Sequence, residues 1–433
     1  MSRLPTRGRS PRIYLHIGAM KTGTTYLQAL MSANRDELLA AGFLFPGERW
    51  ADQSNAVRDI LFSIDDPRVQ AETAGKWDAL RDEMMAYEGK ASVVSMEFLS
   101  FADAERAEQV VRSLDGAEVH IILTVRDATS AIPAQWQTGC RNGSKVPYQK
   151  FVRGARYTLN GEEAPKGRSS RMFQRTQGIP RMLEVWAPLV GSKRMHVITV
   201  PPRHADPLLL WKRFAKVVGV SHKVAKNPTS DSNPSLGLAS SELLRRINIE
   251  LGTVPQSDYN RVVKGALARG ILGARAKEEP SVRLNRRGQN LARQWNQVVR
   301  DAIVESKVRV VGSLDELPTG PADPDAPDEL PAATPEEILA AAATGRDGLR
   351  RLLKRFENKT AALASGSADQ VEESMLVHEA LEDARSAEDR EATSPHRWDD
   401  EPEPVEAAVN ELTGLVRQCI DLNSQLMKAG SGT

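Results

Sequence analysis

The chain has 433 residues, 40% hydrophobic and 5% aromatic, enough for one large domain or two ordinary ones plus some unstructured chain. No apolar run approaches the roughly 20 residues of a membrane helix, and the basic opening MSRLPTRGRSPR lacks the greasy segment of a signal peptide. The net charge of +1 hides an asymmetry: residues 321–433 carry about −13 and residues 1–320 about +14, so a basic body suited to an anionic ligand precedes an acidic tail.

In chain order, RIYLHI at 12–17 reads as a buried strand ending at Gly18. Apolar spacing of three and four predicts a helix over 24–40, stopped at Gly42. SVVSM at 92–96 is a second strand, followed by a helix near 104–113, and EVHIILTV at 118–125 is a third strand. Its unbroken apolar run suits a parallel sheet covered on both faces. A helix from about Thr129, another over 172–189, a strand at 194–200, a helix over 208–218 and a short strand at 307–312 complete the body. Strands alternating with helices at this spacing predict an α/β fold: a doubly wound parallel sheet of about five strands flanked by helices.

The body is expected to span 10–317, an acidic Pro-rich linker 318–335, and a helical and partly disordered acidic tail 336–433. Within the tail, 336–364 reads as a helix pair interrupted near Gly345, and Ala407–Met427 as a last helix. The distant cysteines Cys140 and Cys419 point to a reducing, cytoplasmic setting, and the seven histidines form no ligand-spaced cluster, so no metal is expected. No helix-turn-helix, zinc finger or aromatic ribonucleoprotein motif suggests specific nucleic-acid binding.

Ligands of such sheets sit at the carboxyl ends of the strands, where two loops stand out. The first is Gly18-Ala19-Met20-Lys21-Thr22-Gly23-Thr24-Thr25. Its glycines allow positive φ, its amides and the start of the next helix form an anion nest, and its hydroxyls and Lys21 add donors and charge. The bland reading is a glycine turn before a helix that Thr24 caps. The lysine precedes the second glycine, unlike the G-x-x-x-x-G-K-[ST] order of nucleoside triphosphate loops.

IGAMKTGTTYLQ resembles the 5′-phosphosulfate loop of sulfotransferases that use 3′-phosphoadenosine 5′-phosphosulfate (PAPS), in which a basic residue precedes G-T-T. The resemblance implies that the backbone of Thr22, Gly23, Thr24 and Thr25 and the hydroxyls of Thr24 and Thr25 hold the 5′-phosphate, while Lys21 reaches the oxygen bridging phosphate and sulfate. The second loop, TVRDATSAIPAQWQ, resembles the family's R-D-P-x-x-R-x-x-S-x-[YW] pattern, with Arg126 placed to grip the 3′-phosphate and Trp136 at the aromatic position. A planar guanidinium suits that task. The family serine is Ala134 here, so one hydrogen bond to phosphate is missing or comes from Ser130, Gln135 or Thr138. The likeness covers roughly 10–317 and is similar to that of actinobacterial sulfotransferase-like proteins.

The implied activity is sulfuryl transfer from PAPS to a hydroxyl of a small molecule, carbohydrate or glycolipid, without a metal. Lys21 would stabilise the developing charge and Glu97, just past the second strand, would act as general base. A structural glutamate is the plain alternative, and His16, inside the first strand, is expected to pack beneath the loop. Lys166, Arg168 and Arg171, or Arg283, Arg286 and Arg287, could close over the nucleotide or be solvated loops. Two other functions stay open: a P-loop kinase or ATPase, and an inactive sulfotransferase fold serving as a binding or assembly module.

Overall fold

The computed structural model describes residues 10–159, 168–227, 236–364, 398 and 402–430. Strands β1 Arg12–His16, β2 Phe43–Leu44, β3 Ala91–Ser95, β4 Glu118–Val125, β5 Met195–Thr199 and β6 Arg309–Val311 form one parallel sheet in the order β2-β3-β1-β4-β5-β6. Between β1 and β2 lie α1 Thr24–Ala33 and α2 Arg35–Ala40; β2 leads to α3 Trp50–Phe62, α4 Pro67–Thr73 and α5 Lys76–Ala86. A 3₁₀ turn, Glu97–Phe101, and α6 Ala104–Arg112 follow β3. After β4 come α7 Ala128–Arg141, α8 Tyr148–Leu159, α9 Arg168–Gln177 and α10 Ile179–Val190. Between β5 and β6 lie α11 Leu209–Val218, α12 Leu238–Leu251, the single turn α13 Gln256–Asp258 running on as a π-helical stretch Tyr259–Ile271, and α14 Arg286–Glu305. Helices α15 Pro335–Ala364 and α16 Pro404–Gly430 close the chain.

The chain divides into two compact units, each assembled from three segments. The first takes residues 1–132, 153–232 and 286–326 and contains the whole sheet. Its central strands are buried on both faces, as their continuous apolar runs require. On one face Tyr14, Val93, Ile122 and Ile198 meet Leu27 and Met31 of α1 and Trp211 and Phe214 of α11. That face also carries a polar ladder near the amino ends of the strands. Arg12 Nε donates to Glu118 (3.1 Å), Glu118 lies 2.7 Å from His120 Nε2, and His120 Nδ1 lies 3.0 Å from His196 Nε2.

The second unit comprises 133–152, 233–285 and 327–433. Helices α15 and α16 pack along each other, and α12 and the π-helical stretch pack against both. Cys140 and Cys419 are separate, buried free thiols in this unit.

Four details depart from the sequence reading. The sheet has six strands instead of about five, because β2 pairs only Phe43 with Ala91 and Leu44 with Ser92, too short to show a period. The helix expected over 24–40 breaks at Asn34, whose Nδ2 donates to the Leu30 carbonyl at 2.8 Å. The helix expected over 172–189 is two, because Gly178 ends α9 and Pro180 sits in the first turn of α10, where its missing N–H costs nothing. The predicted pair over 336–364 is one continuous helix. Its glycines serve close packing: a Cβ on Gly345 would stand 2.8 Å from Leu412, and one on Gly348 2.6 Å from Ile271.

Candidate functional site

The carboxyl ends of β3, β1 and β4, three neighbours in the sheet, carry Glu97, the glycine loop and Arg126. Strands β2 and β3 lie on one side of β1 and β4 to β6 on the other, which makes β1/β4 the switch point where open parallel sheets take ligands.

Three residues of the loop have left-handed backbone: Gly18 (φ 101°), Lys21 (φ 63°) and Gly23 (φ 90°). Thr124 holds the loop from the neighbouring strand, its N–H donating to the Gly18 carbonyl (2.6 Å) and its carbonyl accepting from Ala19 N–H (3.0 Å). The Thr22 hydroxyl, almost fully buried, lies 2.5 Å from Thr124 Oγ1 and 2.5 Å from the Ala19 carbonyl oxygen. Thr22 therefore braces the loop, and only its backbone is left to face a ligand. Thr24 is buried, its hydroxyl 3.4 Å from the same carbonyl, whereas Thr25 is exposed. Gly23 occupies the N-cap of α1 and no side chain caps that helix, so Thr24 is not the cap. The first amides of a helix have no intrahelical partner, and here they open beside Lys21.

Other chains of contact converge on the loop. A Cβ on Gly18 would lie 3.1 Å from Glu97 Cβ, so glycine is what lets the loop rest against Glu97. Gln28 Nε2, from α1, donates to Glu97 Oε2 (3.2 Å) and to the Ser95 carbonyl (2.7 Å), fixing the carboxylate. Gln177 Nε2, from the end of α9, donates to the Met20 carbonyl (2.6 Å). Arg126 Nη1 donates to the Lys21 carbonyl (3.3 Å), joining the two loops that the sequence singled out.

The electrostatics favour an anion. Burial, and then the like charge of Arg203 from the loop after β5, lower the pKa of the Arg126 guanidinium; Asp127 offsets part of this. The Asp127 carboxylate is itself taken up by the Thr129 amide (3.0 Å) and Asn296 Nδ2 (2.8 Å). Among the described residues neither Arg126 nor Arg203 forms an ion pair. Two arginines whose charges oppose each other are stabilised by a bound anion.

His16 is fully buried, with Nδ1 2.8 Å from Ser95 Oγ and Nε2 3.2 Å from Thr124 Oγ1. Burial pushes its pKa down to about 3, so it is a neutral brace under the loop. Ala134 and Trp136 belong to the second unit, where Trp136 packs on Tyr148 and donates to the Val146 carbonyl (2.9 Å). Of the basic candidates, Lys166 lies outside the described residues and Arg171 is exposed on α9, where Arg168 is the first residue. Arg283 donates to Ser281 (3.0 Å), Arg286 to the carbonyls of Pro324 and Ala326, and Arg287 is exposed.

Sequence reasoning missed Arg203, Gln28 and Gln177. Arg203 had the signal that found Arg126, a basic residue past a buried strand, but Pro201 and Pro202 intervene. The glutamines had no signal, since an amide on a helix is ordinary surface until the fold aims it. Among the described residues no helix is long and apolar enough to cross a membrane, and no group of three or more His, Cys, Asp or Glu side chains could hold a metal ion. Comparison of the chain with family models, curated proteins and solved structures gives no match.

Proposed function

We propose that the protein is a sulfotransferase that moves a sulfuryl group from PAPS to an acceptor hydroxyl. The observation that carries this reading is the junction of the two loops: Arg126, beside Arg203, donates to the carbonyl of Lys21, next to the uncapped start of α1. That arrangement offers two cationic sites a short way apart, suited to a nucleotide with phosphates at two ends rather than in one chain. The donor supplies an activated sulfuryl group on its 5′-phosphate. The amides of residues 22–25 would hold that phosphate, and Lys21 would neutralise charge on the oxygen left behind. Arg126 and Arg203 would hold the 3′-phosphate as paired donors. Glu97, steadied by Gln28, would take the proton from the acceptor hydroxyl. A kinase or ATPase reading needs the lysine after the last glycine, and here it stands before Gly23.

The test is calorimetry on the full chain. Binding of adenosine 3′,5′-bisphosphate without magnesium supports the reading. Binding of ATP only with magnesium sinks it, and binding of neither nucleotide points to an inactive module, the reading that Ala134 favours.

A further inference from the structure

Helix α9 does more than hold the loop through Gln177. Two residues earlier, the Arg175 guanidinium lies over the Phe101 ring, 4.2 Å from its centroid, and 5.5 Å from that of Phe62. Phe101 ends the 3₁₀ turn that Glu97 begins. The turn is also held by Arg181 of α10, which donates to the carbonyls of Ser100 and, at 2.7 Å, Ala102. Arg175 and Arg181 carry like charge. Burial and then Arg175 lower the pKa of Arg181, with Asp103 and Glu184 opposing; burial alone lowers that of Arg175.

Among the described residues Arg175 has no acidic partner, and the residue is exposed apart from the two rings that cover its guanidinium. An exposed arginine ordinarily swings to the nearest carboxylate. Here two rings fix its plane, leaving the edge of the fork unused and preorganised. Phe101 stands four residues from Glu97, and a 3₁₀ rise of about 2.0 Å per residue separates the two positions by about 8 Å.

We propose that Arg175 recognises a carboxylate on the acceptor, so that the acceptor is an aromatic hydroxy acid. Its hydroxyl would stand at Glu97 and its acid group at Arg175, which sits over the Phe101 ring at the other end of the turn, so that its own ring spans a turn about 8 Å long. The role of Glu97 in this inference rests on the sulfotransferase reading. In the step it implies, the hydroxyl proton goes to Glu97 and a new oxygen–sulfur bond forms. The bond from sulfur to the bridging oxygen breaks, and adenosine 3′,5′-bisphosphate leaves with that electron pair.

The test compares two probes on the full chain by calorimetry, with and without saturating adenosine 3′,5′-bisphosphate: 4-hydroxyphenylacetate and its uncharged alcohol counterpart, tyrosol. A charge-assisted bidentate contact predicts that the acid binds about tenfold tighter or more. Arg175→Met should erase the preference, while Arg175→Lys keeps part of it. Both variants should still bind the bisphosphate as wild type does, which shows that the loop held by Gln177 is intact. Equal affinities, no binding of the acid, or a preference that survives in Arg175→Met overturns the proposal. A wild type that binds the acid but not the bisphosphate overturns the sulfotransferase reading and leaves the carboxylate site standing.

Discussion

Replacing Arg126 by methionine separates a ligand-binding arginine from a structural one. In the free protein its only described hydrogen bond is a 3.3 Å contact from Nη1 to the Lys21 carbonyl, and burial and Arg203 both work against its charge. Such a group contributes little to the free state; methionine keeps much of the stem's packing and removes a desolvated cation. With a phosphate in place, the guanidinium makes charge-assisted hydrogen bonds worth about 1.5–3 kcal/mol. Arg126→Met should therefore weaken adenosine 3′,5′-bisphosphate about 10- to 100-fold and leave urea-unfolding stability within about 1 kcal/mol of wild type. Calorimetry and denaturation on the same preparation read both quantities. Unchanged affinity, or a loss of several kcal/mol of stability with affinity intact, would refute the assignment.

Gly23→Ala meets a φ of 90°, strained for any side chain, and its Cβ would press on Leu210 Cδ2, so it should cost about 1–3 kcal/mol by denaturation; a neutral result contradicts the loop geometry. His16, with its pKa near 3, and His196, pushed down to about 4 by burial and then by His120 and Arg309, stay neutral in the fold but take up protons when unfolded below the ordinary value of 6.5. Stability is then complete above about pH 6.5 and falls as pH drops toward 4, by up to about 1.4 kcal/mol per pH unit for each histidine. The lowered carboxylates Glu118 and Glu316 act only below their ordinary 4.5, so urea midpoints that are equal at pH 7.5 and 5.5 would contradict the histidine assignment. On α14, Arg293 buries Nε and Nη1 without a partner among the described residues, so Arg293→Leu should raise stability by about 1–3 kcal/mol; a loss would show that those atoms are satisfied in solution.

The sheet was legible because a strand covered on both faces must be apolar throughout, and EVHIILTV is β4 to the residue. The glycine loop was legible too, since positive φ at Gly18 and Gly23 restricts which residues can stand there. Two kinds of feature escaped. Local signals misled where packing overrides them: Gly345 reads as a helix breaker, yet α15 runs through it because Leu412 needs that space. Side chains whose meaning comes from distant partners were silent, as with Gln28, which acquires a role only because Glu97 is brought within 3.2 Å by two neighbouring strands. Arg175 belongs to the same class, since its rings come from residues 62 and 101.

The three-segment make-up of the second unit has a consequence for the order in which the molecule can form. Arg417 of α16 donates to the Glu250 carbonyl at 2.8 Å, across 167 positions of sequence. The faces of α12 and of the π-helical stretch that meet α16 have no cover from it until residues 404–430 leave the ribosome. The contacts of α16 with α12, the π-helical stretch and α15 are nonlocal, which slows folding and leaves apolar surface waiting. Deleting the acidic end of the chain would make that waiting permanent. A protein shortened at residue 320 is therefore expected to aggregate or to need a chaperone, even though all six strands remain.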